Sequence, residues 1–144
     1  NLYSAAFAFG RIKSAEIPHF YFQFNSDEFL FAGGQYSMDP NNMKKIRAAI
    51  FNNFEEYKKI IQNKNFKRAY GEIMGESLTN LPKGFILNEQ DVNPLLLKSL
   101  KMKQFYVYKT YPSVIILGEK VIDVILKNIK LVYSFTKFLS NAIK

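Results

Sequence analysis

The stretch that decides the fold is His19-Phe20-Tyr21-Phe22-Gln23-Phe24-Asn25-Ser26-Asp27-Glu28-Phe29-Leu30-Phe31-Ala32-Gly33-Gly34-Gln35-Tyr36. Phe20, Phe22 and Phe24 alternate with Tyr21 and Gln23. A period of two places the three phenylalanines on one face of a strand. Asn25-Ser26-Asp27-Glu28 reads as a polar turn. Phe29 and Phe31 continue the buried face on a returning strand, so the stretch predicts an antiparallel hairpin. Two adjacent glycines at its end predict a bulge or a close backbone contact, with the bulge the stronger expectation.

Beyond the hairpin the period changes. Asp39 is placed to cap a helix whose first residue is Pro40, and Met43, Ile46, Ile50 and Phe51 give that helix one apolar face. Asn53 with Glu56 three residues later has the spacing of a capping box opening a second helix. Phe66 to Tyr70 predicts a further short helix. Gly71 to Gly75 is a weaker, glycine-interrupted segment, and Leu81 to Phe85 a turn-type loop. A helix is expected over Leu95–Ser99 after Asn93-Pro94. Alternation of Phe105 and Val107 against Tyr106 and Tyr108 predicts a strand over Lys103–Lys109, closed by Tyr111-Pro112. From about Gly118, Val121, Ile125, Ile129, Val132, Leu139 and Ile143 predict a long amphipathic helix. Upstream, Ala5 to Phe9 reads as a strand or irregular lead-in, followed by a turn at Gly10 and polar residues. The expected class is α+β, a small, largely antiparallel aromatic-rich sheet packed against helices, within one domain over residues 1–144.

Composition narrows the chemistry. The chain has 48% hydrophobic and 16% aromatic residues, enough for a core built on Phe and Tyr. Without cysteine there are no disulfides or thiolate metal sites, and a cytoplasmic setting is expected. The single histidine, His19, removes multi-histidine zinc sites and most Ser-His nucleophile arrangements. No cofactor is expected. No apolar run reaches membrane-spanning length, so no membrane partner is expected either. The formal net charge of +8 admits an anionic ligand or nucleic acid. Yet the basic residues are nearly all Lys, the arginines being Arg11, Arg47 and Arg68, and Lys is the weaker choice for forked phosphate recognition.

The ordered motifs resemble one family. Phe20-Tyr21-Phe22, Gly33-Gly34-Gln35-Tyr36, Pro40 with Ile46-Arg47, Pro82-Lys83-Gly84-Phe85 and Leu100-Lys101-Met102-Lys103-Gln104-Phe105 follow the pattern of the domain-of-unknown-function 2461 family, conserved hypothetical proteins of bacteria and fungi. The tail Phe135 to Ala142 resembles that family's closing helix, without its proline. Gln104 stands where the family usually has serine, and Asn93-Pro94 where it often has His-Pro. The resemblance implies the family's C-terminal part, lacking an N-terminal portion with a basic motif. It implies no activity.

Gly33, Gly34, Tyr36, Arg47, Lys83, Lys101 and Lys103 are the residues on which an anion site is expected, the basic ones drawn from the best-matched motifs. Lys101 and Lys103, two apart, would share one face of a strand. Tyr21, Tyr36, Tyr106 and Tyr108 would offer an aromatic platform for a base or sugar, or pack within the sheet. Glu72 and Glu76 would share a helix face. The functional expectation is a binding domain for an anionic ligand, nucleotide or nucleic acid. The alternatives are an enzyme acting on a phosphorylated or acidic small molecule, with a site completed by the missing N-terminal part, and a protein-interaction domain.

Overall fold

A computed structural model describes residues 2–10, 16–118 and 120–144. The elements run β1 (Tyr3–Phe7), β2 (His19–Phe24), β3 (Glu28–Gln35), α1 (Pro40–Asn52), α2 (Phe54–Ile61), α3 (Lys64–Tyr70), α4 (Pro94–Lys101), β4 (Phe105–Pro112), a 3-10 turn (Ser113–Leu117) and α5 (Val121–Ala142). The four strands form one antiparallel sheet in the order β1-β2-β3-β4. The fold is α+β, as the hairpin and the later helical spacing predict. The polar residues after Gly10 lie outside the described residues.

Local chemistry explains most boundaries. Asn25 turns the hairpin: its side-chain oxygen accepts from the backbone N–H of Asp27 at 2.8 Å and of Glu28 at 2.9 Å. Asp39 caps α1 by accepting from the Asn42 N–H at 2.8 Å, ahead of Pro40. Asn63 and Asn93 cap α3 and α4 in the same way. The capping box at Asn53 does not form, because that side chain donates backward to the Ala49 carbonyl at 3.1 Å. The strand expected over Lys103–Lys109 starts at Phe105 and continues to Pro112. Lys101 therefore ends α4, and Lys103 lies between α4 and β4; they do not share a strand face.

The register sets the core. Phe20 faces Gly33, Phe22 faces Phe31 and Phe24 faces Phe29, all on one side of the sheet. The helices pack on that side, with Met43, Ile46, Ile50, Tyr57, Phe66, Val132, Phe135 and Leu139 buried against Phe29, Phe31, Phe105 and Val107. Phe20 is buried, whereas Phe22 and Phe24, nearer the Asn25 turn, are half-buried.

Gly33-Gly34 lies in a central strand whose pairing runs through both residues, so there is no bulge. What the pair supplies is close approach. A Cβ on Gly33 would sit 2.6 Å from Val132 Cγ1 and 3.2 Å from Thr136 Oγ1 of α5. Gly34 has φ of +114°, and a Cβ there would land on the Phe105 carbonyl oxygen and the Phe135 ring.

Buried polar groups tie the layers together. Tyr70 of α3 donates to the Asn128 side-chain oxygen, and Asn128 Nδ2 donates to the Tyr111 hydroxyl at 2.9 Å and to the Val124 carbonyl at 2.8 Å. Burial pushes the Tyr57 and Tyr70 hydroxyls well above the ordinary tyrosine range, Tyr111 adding to the shift at Tyr70.

Two predictions follow from this packing. Gly33→Ala should destabilise the fold by about 1–3 kcal/mol through overpacking against α5. Phe20→Ala should cost about 3–5 kcal/mol and Phe22→Ala clearly less. Urea titration of the three variants measures all of them, and equal losses at Phe20 and Phe22 would contradict the burial difference.

Burial of the tyrosine hydroxyls also makes stability depend on pH. A tyrosine whose folded pKa is raised contributes stability that is complete below its unfolded pKa, near 10. That stability is lost as pH climbs above this value, because the unfolded chain releases the proton first. The thermal midpoint should therefore fall above about pH 10, and less steeply in Tyr57→Phe. Superimposable alkaline profiles would argue against it.

Candidate functional site

With every helix packed on the phenylalanine side, the alternate residues of the strands face the other way. They line a cleft of about 530 Å³ formed by His19, Tyr21, Gln23, Leu30, Ala32, Gly33, Gly34, Tyr36, Tyr106 and Tyr108. The register brings them together: Tyr21 is paired with Ala32 and Ala32 with Tyr108, while His19 is paired with Gly34 and Gly34 with Tyr106. Small residues of β3 thus run between tyrosines of β2 and β4, leaving a trough with aromatic walls.

The walls are ordered by contacts of their own. Tyr36 and Tyr106 meet edge to face with ring centroids 5.0 Å apart, and Tyr106 and Tyr108 stack at 6.4 Å. Gln104 donates to the Tyr36 carbonyl at 2.8 Å and holds that end of β3 against β4. On β2, the Tyr21 hydroxyl donates to Gln23 Oε1 at 2.6 Å. That bond turns the Gln23 amide group so that its NH₂ is left as a donor. His19 Nδ1 lies 2.7 Å from the Ile17 carbonyl. A carbonyl accepts only, so Nδ1 carries a proton and, in the neutral ring, Nε2 presents a lone pair. Partial burial, with Tyr36, Tyr108 and Glu76 nearby, raises the Tyr106 hydroxyl above its ordinary value.

The residues expected to bind an anion fall into two groups. Gly33, Gly34 and Tyr36 line the cleft; Arg47, Lys83, Lys101 and Lys103 do not. Arg47 reaches from α1 to the Met102 carbonyl with Nε at 3.2 Å and Nη2 at 2.7 Å, and burial lowers its pKa. Lys101 Nζ lies 3.8 Å from Glu89 and Lys103 Nζ 3.4 Å from Glu76. Arg47 thus binds the backbone between the two lysines, whose ammonium groups turn to different carboxylates. Lys83 is exposed in a separate loop, whose Phe85 ring rests on Phe51 of α1. Glu72 and Glu76 share no helix: Glu72 pairs with Lys98 at 2.9 Å, which lowers its pKa, and Glu76 pairs with Lys103.

Gln23, Leu30 and Ala32 had no functional reading in the sequence, although the period of two that turns the strand phenylalanines toward the helices turns their neighbours outward together. Two other hollows are poorer sites. One of about 80 Å³ beside Tyr57 and Ser99 holds no more than a few waters. One of about 570 Å³ between α2 and α5 is lined largely by Asn53, Glu56, Lys59, Lys137 and Asn141, a solvated groove. Ligand sites are usually apolar and aromatic with a few placed polar groups, which describes the tyrosine cleft. Among the described residues no three or more His, Asp or Glu side chains are grouped to hold a metal ion. Nor, among them, is any helix long and apolar enough to cross a membrane.

The fold and site thus define an α+β domain with one sheet face covered by helices and the other an open aromatic cleft. The family model for the conserved hypothetical protein family DUF2461 matches residues 2–138, and the chain belongs to that family. No curated protein and no solved structure matches it significantly.

If Arg47 is a structural brace, Arg47→Ala should lose about 1–3 kcal/mol of stability, since the Met102 carbonyl loses its charged donor. An unchanged urea midpoint would show that the bond contributes nothing to folding.

Proposed function

We propose that residues 1–144 form one binding module that takes an anionic ligand, a nucleotide or single-stranded nucleic acid, with its base in the tyrosine cleft. The observation that carries this reading is the cleft's lining: four tyrosines, a histidine and a glutamine and, among the described residues, no Lys, Arg, Asp or Glu. Such a lining receives a neutral planar ring by stacking, which is tolerant of base identity. The phosphates would then meet charge outside it. Lys103 follows Met102 directly and precedes Gln104, whose side chain holds Tyr36 at the cleft's end. Lys103 and Lys101 are the proposed phosphate contacts, each exchanging a carboxylate partner for phosphate. Lys83 is a more distant member, and Arg47 enters as the brace of the 101–104 segment. The net charge of +8 supports this assignment, as does the cytoplasmic setting that a cysteine-free chain allows.

A second reading, an enzyme acting on a phosphorylated or acidic small molecule, is favoured by one feature. His19 lies in the same cleft with Nδ1 anchored and Nε2 left as an acceptor, the arrangement of a general base.

The test is fluorescence anisotropy with a short labelled single-stranded oligonucleotide. Binding should weaken as salt rises. Tyr36→Ala and Tyr106→Ala should each lose about 1–3 kcal/mol of affinity at every salt concentration. Lys101→Ala with Lys103→Ala should flatten the salt slope more than Lys59→Ala with Lys64→Ala, which removes equal charge from α2 and α3. Equal effects of the two lysine pairs would reduce the site to general basicity. Absence of binding at low salt would remove the reading.

A further inference from the structure

α5 carries two apolar seams. The inner one, Val121, Ile125, Asn128, Val132, Phe135 and Leu139, recurs at alternating spacings of four and three and packs into the domain. A second seam of the same spacing lies one residue further round: Ile122, Leu126, Ile129 and Tyr133. Here Ile122 is 59%, Leu126 50% and Tyr133 42% exposed, while Ile129 is half-buried against the core and the inner edge of the Tyr133 ring meets Phe9; a core-facing helix needs only one such stripe. Alternation of four and three is the repeat with which one helix meets another in a coiled coil. Beside this seam a hollow of about 410 Å³, lined by Asp123, Leu126, Lys127, Lys130 and Leu131, leaves room for an incoming side chain.

We propose that this outer seam is the interface of a homodimer, in which a second copy lays its own α5 antiparallel across it. The flanking charges choose both the occupant and the direction. An antiparallel pair centred between Leu126 and Ile129 sets Ile122 against Tyr133 of the second copy, and Leu126 against its Ile129. The positions just outside the seam are then Asp123 on one helix and Lys130 on the other, opposite in sign and repeated by the two-fold axis. In a parallel pair the same positions would face Gly118 and Ile125 of the second copy, leaving both charges without a counterpart. The seam is thus complementary to itself in one orientation.

Sedimentation equilibrium of the full chain over a range of concentrations tests this. A reversible monomer–dimer equilibrium is expected. Leu126→Glu should raise its dissociation constant by about tenfold or more, because a lone carboxylate would be buried in the seam. Leu126 is half exposed in the monomer, so circular dichroism of that variant should match the native chain. Asp123→Lys should weaken the dimer through Lys–Lys opposition, and the exchange of signs in Asp123→Lys with Lys130→Asp should restore it. That rescue is a result which mere damage to α5 would not produce. A chain monomeric at every concentration overturns the proposal, as does a dimer indifferent to Leu126→Glu or unrescued by the sign exchange. A monomer that instead co-sediments with phosphatidylglycerol vesicles would assign the seam to a lipid surface and overturn it equally.

Discussion

The contact on which the structure turns is the crossing of α5 over β3 at Gly33-Gly34. Val132, Phe135 and Thr136 come down where any Cβ would stand in their way. Because the helix sits this close, Phe135 and Val132 are completely buried, and Phe20 and Phe31 fill the space on either side. Dispersion contacts fall off within an ångström, so a helix lifted to clear two methyl groups would lose packing along much of its length. The glycines themselves weaken the strand through backbone entropy. Their gain is collected by the helix and its neighbours.

The same crossing determines what the other side of the sheet becomes. Successive strand residues point to opposite faces, so a run of small residues leaves space on both. On the helix side Val132 and Phe135 fill it; on the far side Gly34 and Ala32 leave the floor of the cleft between Tyr21 and Tyr106–Tyr108. Close packing on one face and an open trough on the other are thus two consequences of one small-residue run in β3. The wall tyrosines need no helix to order them, since Tyr36, Tyr106 and Tyr108 hold one another through ring contacts.

Much of the fold was legible because its signals were local. The phenylalanine alternation, the Asp39-Pro40 helix start and the long period of α5 each speak within a few residues, and the structure places them accordingly. What was illegible depended on tertiary context. Asn53 and Glu56 have capping-box spacing, but α1 runs so directly into α2 that the Asn53 side chain bonds back to Ala49. Gly33-Gly34 reads more readily as a bulge than as a close approach until the helix that approaches is known. Lys101 and Lys103 look like a strand pair because Phe105 to Tyr108 alternate just beyond them. The helix that ends at Lys101 and the bridge between Ser77 and Met102 interrupt that pattern. The cleft was half legible: its four tyrosines stood out by type, while Gln23 and Ala32 carry no chemical flag.

Charge was the least legible layer, for a physical reason. Lys and Glu side chains are long, and their partners are set by the surface rather than by the pattern that folds the chain. Lys103 meets Glu76 and Lys98 meets Glu72 across more than twenty residues, pairs that no local spacing announces. Exposed pairs of this kind are screened by water and stabilise little, so folding exerts little selection on where they fall. Arg47 is the exception. Its guanidinium donates from two nitrogens, Nε and Nη2, to the Met102 carbonyl, at the point where α4 hands over to the segment before β4. That carbonyl, accepting from an always-charged fork, is fixed more firmly than a helix end in water would be. Through it α1 sets the position of residues 101–104, and Gln104 in turn sets Tyr36. A basic residue that never enters the cleft thereby helps shape one of its walls.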